Sequence, residues 1–311
     1  MLSYIIRRMA QTIPITLGVA LIVLLLFTKV GEDPVRVKLG VHATQQAVDE
    51  LRAKWGLDKP LPVQYLVFLK QIATFDYGES FNSGEKLSDM FANGAVTSLS
   101  LTAPPFFLGI LLNLGIAVLI AFYRGSWLDR YSTFLFVAAM SVSYMVYVMF
   151  FQYFFAYKMG WFPINGFEPG FASIAYLALP WIIIMVVSAG PQIRLFRAVF
   201  LDETKADYVR TAFAKGCSPA RVMFVHIMKN AMIPILTYTV VEIPSLILGA
   251  FLIERFFSIP GTGDILIAAI NNGDFPIIKG LTVLIAISFT LCNMITDILY
   301  AYVDPRVQLD A

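Results

Sequence analysis

The residues able to do chemistry are few, and their spacing does not suit catalysis. His42 and His226 each stand alone, without a nucleophile or metal-binding neighbour. The chain carries no HExxH, GxSxG or CxxC pattern, and no GxxxxGK[ST] loop to cradle a nucleotide. Cys217 falls in a polar stretch and Cys292 in an apolar run, so a disulfide between them is not expected. No catalytic residue and no metal site is expected on this chain. Two carboxylates remain notable, Glu242 and Asp297, because each falls inside an apolar run where ionisable groups are scarce and costly. Glu242 either faces a path and meets an amine or cation, or hydrogen-bonds a neighbouring helix.

The other notable stretch is polar, 195–230. Asp202 can cap a helix over 204–215, with Asp202 and Glu203 near its positive end and Lys215 in its last turn. Gly216 then ends it in the left-handed conformation, and Ser218 caps a second helix whose first residue is Pro219. Gly216-Cys217-Ser218-Pro219 is thus read as a corner. Tyr208, Val209, Ala212 and Phe213 share one face of the first helix, and such a face must be buried against something. Either it packs on the chain's own helix ends or it docks a partner. Arg210 and Lys215 offer charges to an acidic partner, or are simply solvated.

These residues have to be positioned by a very apolar chain. Of its 311 residues 58% are hydrophobic and only 14% charged, against roughly 45–50% and about 25% in soluble domains, which excludes an ordinary soluble enzyme. A net charge of +2 with no basic, aromatic-laced face gives no case for nucleic acid. Six apolar runs are long enough to span a bilayer: 9–28, 95–122, 132–156, 172–193, 231–253 and 277–300. Prolines at 104, 105, 180, 191, 234 and 244 are tolerated there, because neighbouring helices can satisfy the freed carbonyls. The fold class expected is an all-α polytopic membrane protein with six transmembrane helices. Mid-span Asn113 and Gln152 are expected to bond between helices, and the stripe Tyr144, Tyr147, Phe151 and Tyr153 to pack.

Arg7-Arg8 precede the first run with no small-residue cleavage site after it, which reads as an uncleaved signal-anchor. Basic residues near span ends concentrate on the side of the N-terminus, among them Arg124, Arg130, Arg194, Arg197 and Arg221. Both termini are therefore expected to be cytoplasmic. The segment 31–93 becomes a small helical extracytoplasmic insertion between spans 1 and 2. In it Thr44 caps 45–55, with Gly56 as the stop, and Pro60 and Pro62 open a helix over 63–72. The organisation expected is 1–30 as N-terminus and span 1, 31–93 as the insertion, and 94–311 as a core of spans 2–6.

Asp207-Tyr208-Val209-Arg210-Thr211-Ala212-Phe213-Ala214-Lys215-Gly216, followed by His226 and Asn230-Ala231-Met232-Ile233-Pro234, resembles the cytoplasmic EAA loop of ABC-importer permeases. The dipeptide/oligopeptide/nickel branch, B-type subunit, is the nearest likeness, since Arg-Thr-Ala precedes the glycine there. The likeness extends over nearly the whole chain. It takes in Tyr4-Ile5-Ile6-Arg7-Arg8, Glu32-Asp33-Pro34, Leu57-Asp58-Lys59-Pro60, Asp76-Tyr77-Gly78-Glu79-Ser80 and, in an outer loop, Glu254 with Pro260, Gly261 and Gly263. Asp297, Asp304 and Arg306 match the last span and tail as structural residues. Asn272-Gly273-Asp274 departs from the family, which has an arginine before that aspartate.

The resemblance implies a subunit of an ATP-driven importer in the bacterial inner membrane, multi-pass and embedded in the lipid bilayer. Its implied partners are a homologous second permease forming a heterodimer, one or two ABC ATPase subunits, and an extracytoplasmic solute-binding protein. ATP and Mg would be held on the ATPases, with no cofactor on this chain. Residues 207–216 would be the ATPase-coupling element. Peptide is the branch's commonest substrate; nickel, glutathione or another small solute is the alternative. A secondary transporter or channel is the remote rival, disfavoured by a single midplane carboxylate and the absence of an internal repeat.

Overall fold

The computed structural model describes residues 2–26, 28, 34–40, 43–248 and 250–303. Among them the regular structure is helical, apart from one isolated antiparallel bridge between Glu79 and Lys86. The helices are α1 (Leu2–Leu25), α2 (Pro34–Leu39), α3 (Gln45–Lys54), α4 (Leu61–Thr74), α5 (Leu87–Phe122), α6 (Trp127–Met140) and α7 (Tyr144–Phe151). They continue as α8 (Ser173–Glu203), α9 (Asp207–Ala214), α10 (Pro219–Arg221), α11 (Met228–Leu248), α12 (Phe251–Phe257), α13 (Thr262–Asn271) and α14 (Phe275–Val303). Wide π-type turns extend α7 over Gln152–Lys158 and join α10 to α11 over Val222–Ile227. Four helices among the described residues are long and apolar enough to cross a membrane, or five if the bent pair α6–α7 is counted as one span. Of α1, the stretch Ile13–Leu25 is a shorter apolar helix.

Several boundaries differ from those read off hydropathy. The third apolar run is not one helix: α6 and α7 meet at a 93° bend. Ser126 caps α6 through the Asp129 N–H, and Ser143 starts α7 from an extended backbone. The fifth run stops at Leu248, and Phe251–Phe257 is a separate short helix. Helix α5 begins at Leu87, inside the stretch assigned to the insertion, because Leu87, Phe91 and Gly94 give its first turns a buried face. At about 1.5 Å per residue it is roughly 54 Å long against a hydrocarbon core of about 30 Å, so it must project from the bilayer. Helix α8 likewise continues past residue 193 to Glu203, with Phe196 and Phe200 fully buried.

The core falls into three clusters. One joins the ends of α5 and α8 to α9 and the start of α11, through Ala117, Ile120, Phe196, Phe200, Val209, Ala212, Met223 and Ile227. A second joins α1, α4, α5 and α14 through Val23, Phe68, Ile72, Tyr77, Phe91 and Leu281. The third lies under α7 and α12, through Leu101, Val148, Leu177, Ile183, Ile253 and Phe257. The principal helix contact is α5 on α8. Asn113 Nδ2 donates to Gln192 Oε1 across that contact at 2.7 Å, the interhelical bond expected of a mid-span amide.

Between α1 and α5 the insertion is helical. Thr44 caps α3 through the Ala47 N–H, and Gly56 beyond it takes a positive φ of 68°. The insertion is tied down by Asp274 of the α13–α14 turn. Ser80 Oγ donates to Asp274 Oδ2 at 2.5 Å, and the Phe81 and Asn82 N–H groups donate to the same carboxylate at 3.2 Å. Trp55 stacks on Phe81, with ring centroids 3.6 Å apart.

Candidate functional site

The elbow in 195–230 is built differently at its start from the sequence reading and as expected at its end. Asp202 does not cap the elbow's first helix: it lies in the last turn of α8, paired with Lys205 at 2.9 Å. Helix α9 starts at Asp207 instead of residue 204, because Phe200 and its neighbours keep α8 going while they find buried contacts. Its N-cap is Ala206, with no side-chain cap, so Asp207 alone supplies negative charge to the positive end. At the other end Gly216 has φ +78°. The Gly216 N–H donates to Phe213 O and the Cys217 N–H to Ala212 O, the crossed bonds of a Schellman stop. Cys217 packs on the same cluster as Ala212, and Ser218 Oγ accepts from the Arg221 N–H to start α10.

The two faces of α9 differ sharply. Val209 and Ala212 are buried on the ends of α5, α8 and α11, and Tyr208 is half-buried beside them. Tyr208 donates to Glu203 Oε2 at 2.5 Å, which pins α9 to the end of α8. Burial, with the Glu203 carboxylate next, pushes the Tyr208 hydroxyl up to about 12, against an opposing hydrogen bond from Asn230. Asp207, Arg210, Thr211, Phe213, Ala214, Lys215 and Gly216 are exposed. Arg210 and Asp207 form a 3.7 Å pair that is solvated on both sides, and Phe213 is 49% exposed. The face read as uniform is therefore split: its Val209–Ala212 half packs on the chain itself, and Phe213 projects outward.

The outer loop is the reverse. Glu254 is completely buried. Its Oε1 accepts from Ser98 Oγ of α5 at 2.7 Å, and its Oε2 accepts from the Gly263 and Asp264 N–H groups at 2.8 and 3.1 Å. Ser98 Oγ in turn accepts from the Thr262 N–H at 2.8 Å. The carboxylate thus satisfies the free donors at the start of α13 and ties them to α5. Burial pushes its pKa up from the ordinary glutamate value, while the bonds from Ser98, Asp264 and Gly263 resist. The two glycines are needed for closeness: a Cβ on Gly261 would lie 2.3 Å from Glu254 Cδ, and one on Gly263 2.5 Å from Phe251 Cβ. Pro260 precedes this corner as an exposed residue.

Glu242 lies on α11, half-buried, interacting with the hydroxyl of Tyr238 one turn earlier. Tyr238 in turn meets Phe196 edge-on at 6.0 Å. Asp297 is carried by α14 with its side chain outside the described residues, and Asp304 and Arg306 also lie outside them. Gln152 donates to the Ile164 and Phe256 carbonyls, and Tyr147 to the Ala139 carbonyl. Tyr144, Tyr147 and Phe151 pack on the third cluster, whereas Tyr153 is exposed and stacks on Tyr157. Among the described residues no group of three metal-ligating side chains comes together.

Three contacts had escaped the sequence reading. Asp129, buried at the start of α6, receives Arg197 of α8 at 2.7 Å and the Gly125 N–H at 2.9 Å. The Ser98–Glu254–Thr262 network and the Asp274–Ser80 clamp are the other two. Their partners stand 68 to 194 residues apart, so no local spacing signals them.

Comparison with known proteins agrees along the chain. The family described as binding-protein-dependent transport system inner membrane component matches residues 109–309, and its N-terminal companion matches residues 1–102. The dipeptide transport system permease protein DppB of Alkalihalophilus pseudofirmus is 29% identical over 99% of this chain and all of its own length. A probable peptide ABC transporter permease of Sinorhizobium fredii is 32% identical, covering 98% of this chain and 99% of its own. The glutathione transport system permease protein GsiC of Salmonella typhimurium is 31% identical over 99% of each.

Proposed function

Since this chain belongs to the binding-protein-dependent transport system inner membrane family, the permeases of ABC importers, we propose that it is the membrane subunit of an ATP-driven importer of peptides. It is a multi-pass protein of the bacterial cytoplasmic membrane, and permeases of this family are not themselves the catalytic subunits. The reading of peptide as cargo rests on the relatives named for dipeptide and peptide transport; glutathione is the second reading, from a relative of equal similarity.

In this proposal the chain crosses the membrane six times with both termini cytoplasmic, α1 supplying the first span and α6–α7 the broken third. Residues 31–93 form the extracytoplasmic insertion and 94–311 the permease core. A homologous second permease completes the path, a solute-binding protein delivers cargo from outside, and one or two ABC ATPases hold ATP and Mg on the inside. Glu242 is a candidate path residue for a substrate amine.

The observation that carries the mechanism is the split of α9. Its inner half is fixed to α5, α8 and α11 by Val209, Ala212 and the Tyr208–Glu203 bond, while Asp207, Arg210, Phe213 and Lys215 are exposed. A groove on an ATPase would take that outer face, with Phe213 as apolar anchor and Arg210 and Lys215 as cations. Movement of the ATPases on ATP binding would then displace α9. Because α9 is pinned to α8, the spans would switch as packed bodies between two arrangements rather than stretch.

The test is to tag the chain in its native membrane, extract it gently and identify what co-purifies. A second permease with one or two ATPases is the expected result; a chain that purifies alone and moves solute without ATP would overturn the proposal. Gly216→Val sharpens it. The left-handed φ disfavours a β-branched residue, while no atom within 4 Å obstructs a Cβ, so the corner should distort without harm to membrane insertion. Wild-type uptake by that variant would remove α9 from the mechanism.

A further inference from the structure

Between α6 and α7 the chain breaks at a 93° bend. It lies well inside the third apolar run. Ser141–Ser143 falls nine to eleven residues into the apolar run 132–156, about 14–17 Å into a hydrocarbon core of about 30 Å. The end of α6 packs on α8, where a Cβ on Gly190 would lie 2.8 Å from Met140 Cγ. At this depth the chain turns through Ser141, Val142 and Ser143, all three exposed on the surface of the subunit. Among the described residues the Ser141 and Val142 carbonyls and the Ser143 N–H have no hydrogen-bond partner, and the Ser143 hydroxyl does not cap α7.

Lipid cannot satisfy such groups, and irregular backbone at membrane depth persists only where protein buries it or water reaches it. The bend is not a loose end that could straighten. Tyr147 Oη donates to the Ala139 carbonyl at 2.9 Å across it, Gln152 anchors the next turn to the Ile164 and Phe256 carbonyls, and Val148 is fully buried beneath. By contrast the exposed face of α5 at Phe107, Leu111 and Leu112 is purely apolar, and α5 is unbroken there, as a lipid-facing helix should be.

We propose that Ser141-Val142-Ser143 lines the water-filled translocation path and is a peptide-contacting site. The two free carbonyls accept from the main-chain N–H or terminal ammonium of a passing peptide, and the Ser143 hydroxyl meets its carbonyls. Backbone acceptors recognise the main chain common to all peptides and ignore side chains, which suits a conduit whose selection is made elsewhere. This inference rests on the importer reading above.

The test is accessibility in the assembled complex, with ATPases and sister permease present. In a Cys217→Ser, Cys292→Ser background, Val142→Cys and, as a second variant, Ser143→Cys are treated with a charged, membrane-impermeant trimethylammonium methanethiosulfonate. Leu111→Cys is the lipid-facing control, expected to react at least about tenfold more slowly because a thiol in hydrocarbon does not ionise. The expected result is modification at 142 and 143, slowed by saturating dipeptide. Unreactive cysteines at both positions in a complex that still imports dipeptide would overturn the placement. Modification that no dipeptide slows would overturn the contact. Because labelling is read without transport, a complex modified at both positions that neither imports dipeptide nor is slowed by it would refute the peptide reading and leave the water-facing break standing.

Discussion

The elbow around α9 and the corner around Glu254 use similar materials, a short helix, glycine and a few charges, to opposite ends. At the Glu254 corner the buried carboxylate is consumed internally: Glu254 takes Ser98, Gly263 and Asp264, and the two glycines leave no room for a side chain. At the inner elbow only one face of α9 is consumed. Phe213, Arg210 and Lys215 are left in water, where an aromatic side chain that is 49% exposed gains nothing from the chain itself. Both segments lie within residues 109–309, the stretch that the family matches. Their geometry separates a corner that holds the subunit together from one that has a face to offer.

That contrast can be broken in graded steps. Gly261→Ala should do the most damage, since its Cβ would fall 2.3 Å from Glu254 Cδ. The overpacking should cost about 3 kcal/mol or more, read as loss of folded, monodisperse protein in detergent. Near-normal thermal stability would show that the outer corner is looser than described. Glu254→Gln keeps the shape but turns one acceptor into a donor facing N–H groups, at a cost of about 1–3 kcal/mol.

The same carboxylate predicts a pH dependence. Burial raises its folded pKa above the ordinary value of 4.5, so the folded state holds the proton after the unfolded state has lost it. Its contribution is intact below that ordinary value and is lost as pH rises from there through the raised folded pKa. Thermal scans across this window should show wild type losing stability relative to Glu254→Gln as pH rises. Parallel profiles would remove Glu254 as the source.

Between the extremes lies the Asp129–Arg197 pair, buried on one side and partly open on the other. Asp129→Asn should cost about 1–2 kcal/mol, less than a fully buried pair because water still reaches the arginine. A double cycle with Arg197→Gln should recover most of it as coupling; additive effects would mean the two act independently. The smallest change in stability belongs to Phe213→Ala, within about 0.5 kcal/mol. Its effect should fall on function instead, with ATPase capture and uptake reduced about tenfold as for an interface anchor. A variant that lost stability but kept its ATPases would reverse the assignment of the two faces of α9.

Much of this was legible beforehand because it depends on local physics. Hydropathy is a running property of the chain, so the apolar runs and the helical class follow from it directly. Thr44, Gly56, Gly216 and Ser218 work as caps and stops through backbone groups within a few residues of themselves, and each does what its type requires. What failed were the ends of helices whose continuation is bought by distant contacts. Phe196 and Phe200 draw α8 through Asp202, and Leu87 with Phe91 draws α5 out of the membrane.

The sequence by itself determined that this is a helical membrane protein, where the polar elbow at Gly216 turns, and which family it resembles. Helix formation, capping and lipid solubility are decided by residues close together along the chain. Only the tertiary structure decided that the third apolar run is broken at Ser141–Ser143, that Glu254 is a buried acceptor for α13, and that Asp129 meets Arg197. Each depends on groups far apart in sequence being held within hydrogen-bond or packing distance. The direction a side chain faces, inward to its own core or outward to a partner, is likewise fixed by which helix ends lie beside it.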